Sequence, residues 1–354
     1  MMFKKLIFFV FLTICYSFNA LAQTDESKHL QNIQQLTFGG NNAEAYWSFN
    51  NKYLTFQSDN PKWGLSCDQI FMLDIKKAQK KKGEYMPGKI STGDGRTTCS
   101  YFMPDNKHIL YASTHEGGKM CPPPPTRRAD NKYLWPIYNT FDIFVADKKG
   151  KITGQLTKEP GYDAEATVSP DGKTIVFTST RSGDLELWTM NIDGSNQKQI
   201  TNGLGYDGGA FFSPDGKKLV FRASRPTTEA DIKEYKDFLA QDLVAPVAME
   251  IYTCNVDGSN LKQVTHLGKA NWAPFYLPDN KHIIFSSNHF SKRGYEFQLF
   301  MIHEDGTGLE QITTESIFNA FPMFSPDGKH IAWSSNRDNG GGRDTNVFMA
   351  DWKQ

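Results

Sequence analysis

The pentapeptide SPDGK occurs at Ser169–Lys173, Ser213–Lys217 and Ser325–Lys329, each time ahead of an apolar run such as TIVFTST or KLVFRAS. Three weaker copies, MPDNK at Met103, LPDNK at Leu277 and SFNNK at Ser48, bring the number of repeats to six. Proline pre-sets φ, and the residue after aspartate accepts φ > 0, so each copy is expected to turn one antiparallel strand into the next. A second shared block follows three of the turns: LWTMNIDGSNQKQIT from Leu187, IYTCNVDGSNLKQVT from Ile251 and LFMIHEDGTGLEQIT from Leu299. It again places Asp-Gly between short alternating runs. One repeat of about 45 residues therefore holds four strands, here lettered A to D, as a propeller blade does.

Counting the last strands decides how the ring closes. GKIST at 88–92, TGQLT at 153–157, QKQIT at 197–201, LKQVT at 261–265 and LEQIT at 309–313 complete five blades, and the sixth lacks its own. An unused IQQLT stands at Ile33–Thr37, ahead of the first blade. The expected fold is all-β: a six-bladed β-propeller closed by the N-terminal strand pairing into the last blade, which leaves no open sheet edge there.

Between Gln31 and Gln354 the repeats resemble the TolB-like family of periplasmic propellers, whose blades follow SPDGK, IVF, S.R.G, L, MN.DGSN and QLT. The resemblance implies a periplasmic propeller that binds a protein or peptide in the cell envelope. The Tol-system member of that family carries a further N-terminal α/β domain, for which the stretch ahead of Ile33 leaves no room.

The first residues place Lys4 and Lys5 before a short apolar run that ends in Ala20-Leu21-Ala22, a signal-peptide pattern with cleavage after Ala22. The expected division is a signal peptide over 1–22 and one propeller over 23–354, periplasmic or secreted. Cleavage takes two lysines from a chain with 39 basic and 39 acidic residues and leaves a net charge of −2. That charge gives no bulk attraction to nucleic acid. No later stretch is long and apolar enough to span a membrane, and a monomer is expected.

Two insertions, 115–140 in the second blade and 226–249 in the fourth, fall on the face opposite the SPDGK turns. In the latter, Ile232, Tyr235, Leu239 and Leu243 recur at helical spacing behind a Thr228…Asp231 cap, which predicts a helix across the mouth, either as packing or as a lid. Seven positions before each turn proline stand Asn42, Thr97, Asp163, Asp207, Asn271 and Asn319; eleven after it stand Asn60, His115, Arg181, Arg225, His289 and Arg337. These two rings either hydrogen-bond each other or, with Trp272, Tyr162, Tyr206, Phe318 and Arg343, anchor a peptide or an anionic group. No cofactor is required, although Asp163, Glu165, Asp207 and Glu44 could offer oxygen ligands to a calcium-type cation in the tunnel.

The alternative is a propeller enzyme, a lyase or hydrolase on polysaccharide or peptide, using His115, His289 and the arginines as acid/base and charge-stabilising groups. No carboxylate pair or nucleophile stands at a recognisable spacing for it. GLGYDG at Gly203–Gly208 joins two strands and opens no helix, so it is no phosphate loop. His108, His282 and His330 recur in KHI as hairpin residues. Of the four cysteines beyond the leader, Cys254 replaces the Met190 of an earlier repeat and should be buried. One pair among Cys67, Cys99 and Cys121 is expected to bond, with Cys99 to Cys121 preferred.

Overall fold

The computed structural model describes residues 25–126 and 128–354. The expected signal peptide lies outside the described residues. Each blade is a four-stranded antiparallel sheet, and in five of them the strands follow chain order from the axis outward; in the sixth the outermost strand comes from the N-terminus. In the third blade they are Asp163–Val168, Thr174–Ser179, Glu186–Asn191 and Lys198–Gln199. The inner strands of the other blades are Asn42–Trp47, Thr97–Phe102, Asp207–Phe212, Asn271–Tyr276 and Asn319–Phe324.

The repeated turn works through its side chains. Ser169 Oγ donates to Asp171 at 2.6 Å and accepts from the Thr174 amide at 3.0 Å, while Gly172 adopts φ +73°. The turn also spaces the blades. A Cβ on Gly172 would lie 2.6 Å from the Pro104 ring of the preceding blade, so glycine there lets one turn nest on the last. In the second and fifth blades an asparagine at this position makes the contact with its side chain instead: Asn106 Oδ1 accepts from the Asn50 amide at 2.9 Å and Asn280 Oδ1 from that of Asp215 at 3.3 Å.

A hydroxyl at or next to the end of each QLT-type run does a comparable task within its blade. Ser91, Thr157, Thr201, Thr265 and Thr313 accept from an amide at the start of their own C strand at 2.8–2.9 Å. In the sixth blade Thr37 accepts from Val347 at 2.8 Å, so the N-terminal segment reproduces the repeat bond. Its strand, Leu30–Gln35, pairs antiparallel with Asn346–Trp352 and begins three residues earlier than the sequence suggests. Ahead of it, the buried Glu26 carboxylate accepts from the Thr314 and Glu315 amides and from Arg337. His29 stacks on Trp352 at 5.0 Å.

Two departures from the expected fold have local causes. The first blade replaces the C–D hairpin with a helix, Ile75–Lys81, capped by the Asp74 carboxylate. The insertion helix forms over Glu229–Leu239 behind the Thr228 cap, but it buries Tyr235 and Phe238 and stops before Leu243. Leu243–Val244 pairs instead with Trp135–Pro136 of the other insertion. A backbone ribbon between the two loops takes up the amides that a longer helix would have used internally. Arg128 and Lys132 then lie over the Phe238 ring at 5.0 and 5.6 Å, so the two insertions form one cover.

Candidate functional site: the covered mouth

Every inner strand carries an irregularity at the same place, five residues before the turn proline. The register slips between Ala164 and Thr167, between Thr98 and Tyr101, and at the equivalent point of the other four blades. The residue there adopts positive φ: Glu44 +55°, Cys99 +45°, Glu165 +59°, Gly209 +61°, Ala273 +48° and Phe321 +58°. A bulge bends the strand and re-aims one residue. Around a ring of six it gives the tunnel an inward belt of Glu, Cys, Glu, Gly, Ala and Phe. Five of the six are not glycine, and a left-handed conformation costs each roughly 1–2 kcal/mol, which the surrounding ladder holds in place.

Below that belt, Tyr46, Tyr101, Phe211 and Phe275 meet across the axis with centroid separations of 5.3–6.5 Å and form a floor. Above it stand Tyr162, Tyr206, Trp272, Phe297 and Phe318, and the insertions add Leu134–Tyr138, Val244 and Pro246 overhead. The space so enclosed is about 720 Å³. Trp272 stacks on Phe297 at 4.3 Å and meets Trp135 of the cover at 5.1 Å. The wall is aromatic and locked by its own contacts.

The charges in this cavity differ in how they are met. Glu165 pairs with Arg222 and accepts from Tyr206 Oη at 2.7 Å, Thr178 Oγ1 at 2.8 Å and the Gly209 amide at 2.8 Å. Burial opposes its ionisation, but Arg222 and these donors win and hold its pKa below the usual range. Arg222 also lies over Tyr206 at 5.0 Å and Trp135 at 5.2 Å, tying the belt to the cover. Asp68 binds Arg96 at 2.6 Å. Glu44 has the Tyr46 hydroxyl at 3.0 Å and the Cys99 thiol at 3.1 Å, both on Oε2.

The thiol contact corrects the expected disulfide. Cys121 bonds to Cys67, with their Cα atoms 5.9 Å apart, and Cys99 is free. Cys99 occupies the bulge, which aims it at the axis, whereas Cys121 sits on the outer loop; neighbouring strands do not bring the two together. The bond that does form fastens the second-blade insertion to the first blade. It closes a separation of 54 residues, worth roughly 4 kcal/mol on chain-entropy grounds. Cys254 is free and buried, as its repeat position suggests.

The two polar rings bind to the fold itself. Arg181 pairs with Asp163 at 2.6 Å and Arg225 with Asp207 at 2.5 Å. Arg337 reaches Asn319 at 3.2 Å as well as Glu26. Asn271 bridges to Glu250 of the preceding blade at 3.1 Å, and Asn42 to Asn346 at 3.2 Å. Thr97 Oγ1 donates to the Asp68 carbonyl at 3.0 Å, and Asn60 to that of Gly39 at 2.8 Å. His115 Nδ1 meets Ser113 Oγ at 2.8 Å and His289 Nδ1 the Leu267 carbonyl at 2.9 Å. Of these twelve, only Thr97 lines the cavity, and Arg343 lies exposed outside it. Asp163, Glu165 and Asp207 each carry an arginine, and Glu44 stands apart with Tyr46 and Cys99. No group of three or more potential metal ligands forms among the described residues.

Residues 138–236 match the TolB beta propeller domain. An uncharacterized protein of Agrobacterium fabrum is 36% identical over 56 residues, and the Tol-Pal system protein TolB of Bordetella pertussis 38% identical over 47. These stretches cover 16% and 13% of this chain and only 19% and 11% of the two relatives. The solved structure of a TolB candidate from Agrobacterium tumefaciens superposes over 89% of this chain and 91% of its own, with a TM-score of 0.56 at 19% identity. Over residues 138–236 the repeats are similar to the TolB beta propeller domain, and the solved structure shares the propeller fold.

Trp272, Tyr162, Tyr206 and Phe318, which the sequence offers as partner anchors, stand on the cavity wall, and Glu44 and Glu165, which it offers as cation ligands, stand in the belt. Sequence reasoning missed Cys99 as a tunnel residue, Arg222 as the partner of Glu165, and Trp135 as the roof. Arg222 sits in a second strand as the second letter of FRAS, where the equivalent runs FTST and WSSN carry a small residue. That oddity was its one visible signal.

Proposed function

We propose that this propeller is an exported, non-enzymatic binding module of the cell envelope whose covered mouth takes up a peptide segment of a partner protein. The observation that carries this reading is the continuity between the aromatic cavity and an exposed apolar rim. Tyr133, Tyr295 and Val247 line the cavity yet are 64%, 50% and 46% exposed. Phe290 and Ile317, also exposed, come from loops of the same face. Aromatic side chains left in water on one face, around a concave centre, are what protein partners use as anchors.

The Cys67–Cys121 bond suits an oxidising compartment, and no helix among the described residues is long and apolar enough to cross a membrane. The likeness to a Tol-Pal system protein supports an envelope role. Placing a photo-crosslinking amino acid at Tyr133 or Val247, and at Lys173 on the opposite face, tests the reading in cells that make the protein. Adducts to a discrete protein from the mouth positions alone are expected. Adducts only from Lys173, or none from the mouth, would refute it.

A further inference from the structure

The belt supplies two carboxylates, and the fold provides a cation for only one. Glu165 is bound by Arg222 and three further donors. Glu44, half-buried two blades away around the same belt, forms no ion pair among the described residues. Its two hydrogen bonds both end on Oε2, and Oε1 receives none from the described residues. Among the described residues the cavity lining carries Glu44, Asp68 and Glu165 against Arg96 and Arg222, one negative charge more than it has cations. Glu44 faces a space walled by Tyr, Trp and Phe rings, and aromatic faces with a carboxylate among them favour a cation.

Resting on the peptide-binding reading above, we propose that the cavity selects a peptide carrying a lysine or arginine side chain, whose ammonium or guanidinium group enters to become the counter-ion of Glu44. The backbone geometry fits that role: a left-handed residue in an inner strand is held there by its neighbours, which fixes where the carboxylate points. Burial, and to a smaller degree the charge of Glu165, raises the pKa of Glu44 above the usual range against the pull of its two donors. An incoming cation reverses that bias, so binding should strengthen as pH rises and Glu44 loses its proton.

A randomised dodecapeptide library passed over immobilised protein tests this. Lysine and arginine should be enriched several-fold over the input in the pool retained by the wild type. The enrichment should vanish with Glu44→Gln and persist with Glu44→Asp, which keeps the charge, and all three proteins should melt alike. Displacement of the retained peptides should need n-butylammonium at concentrations far above those of the peptides; equal potency would assign the site to a small free cation and overturn the peptide source. Retained peptides without basic enrichment, or the same enrichment with Glu44→Gln, would overturn the inference while leaving the mouth as a peptide site. Retention of no peptide at all would overturn both.

Discussion

Gly209 shows how much one missing side chain decides at the belt. A Cβ there would lie 1.9 Å from Arg222 Nη1, and φ is +61°. Gly209→Ala should therefore push the guanidinium off Glu165 and leave a buried charge unpaired, at a cost of about 3–5 kcal/mol in urea unfolding. At the equivalent position of the fifth blade, Ala273→Gly relieves a left-handed alanine and should cost nothing. Glu186 offers a second test at this scale. Burial first, and then the charge of Asp207, raise its pKa to about 8 against the Thr201 hydroxyl. The folded protein holds that proton up to about pH 8, whereas the unfolded chain releases it near 4.5, so the folded state binds more protons in between. Stability from this residue falls as pH rises through that window. Relative to wild type, Glu186→Gln should gain stability steadily from pH 4.5 to 8, as read by melting temperature; a constant difference would count against the raised pKa. The polar rings were legible from spacing alone, because the repeat fixes their level in the blade. Whether Arg225 faces a partner or Asp207 was not legible, since both uses need the same residue types.

Among the elements, the strand supplied from the N-terminus is the most exposed to test. Thr37 gives the sixth blade the hydroxyl that every other blade has at its last strand, and Leu30–Gln35 covers the edge of Asn346–Trp352. Thr37→Val should leave the Val347 amide unpaired and cost about 1–3 kcal/mol. Deleting Gln31 to Thr37 should do far more, giving aggregation or loss of the cooperative transition. A deleted protein as stable as its parent would show the pairing to be dispensable. Strand count, turn position and the closing strand could all be read from the sequence because SPDGK-type turns and QLT-type ends are local chemistry repeated around the ring. The bulge belt could not. Glutamate, cysteine, alanine and phenylalanine carry no mark of a left-handed backbone, and the crowding that imposes it exists only once six inner strands meet at the axis. Leu243 failed for a related reason: its helical spacing was real, but pairing with Trp135–Pro136 overrode it.

At the scale of the whole molecule, one face carries two sets of residues. The ring residues serve the fold: the acid–arginine pairs lie within a blade, Asn42, Thr97 and Asn271 reach to a neighbouring one, and Arg337 holds the N-terminal Glu26, while the aromatic cavity and its rim are left for a partner. Two double variants measured side by side test that division most directly. Arg225→Ala with Arg337→Ala removes the partners of Asp207 and Glu26, each buried. Tyr133→Ser with Tyr295→Ser strips the rim without touching a buried pair. Melting temperature and retention of the partner trapped at the mouth should be recorded for both. A large drop in melting temperature is expected for the arginine variant, and for the tyrosine variant an unchanged melting temperature with capture reduced at least tenfold. An arginine variant that melts like wild type but no longer captures its partner, beside a tyrosine variant that captures normally, would contradict that division.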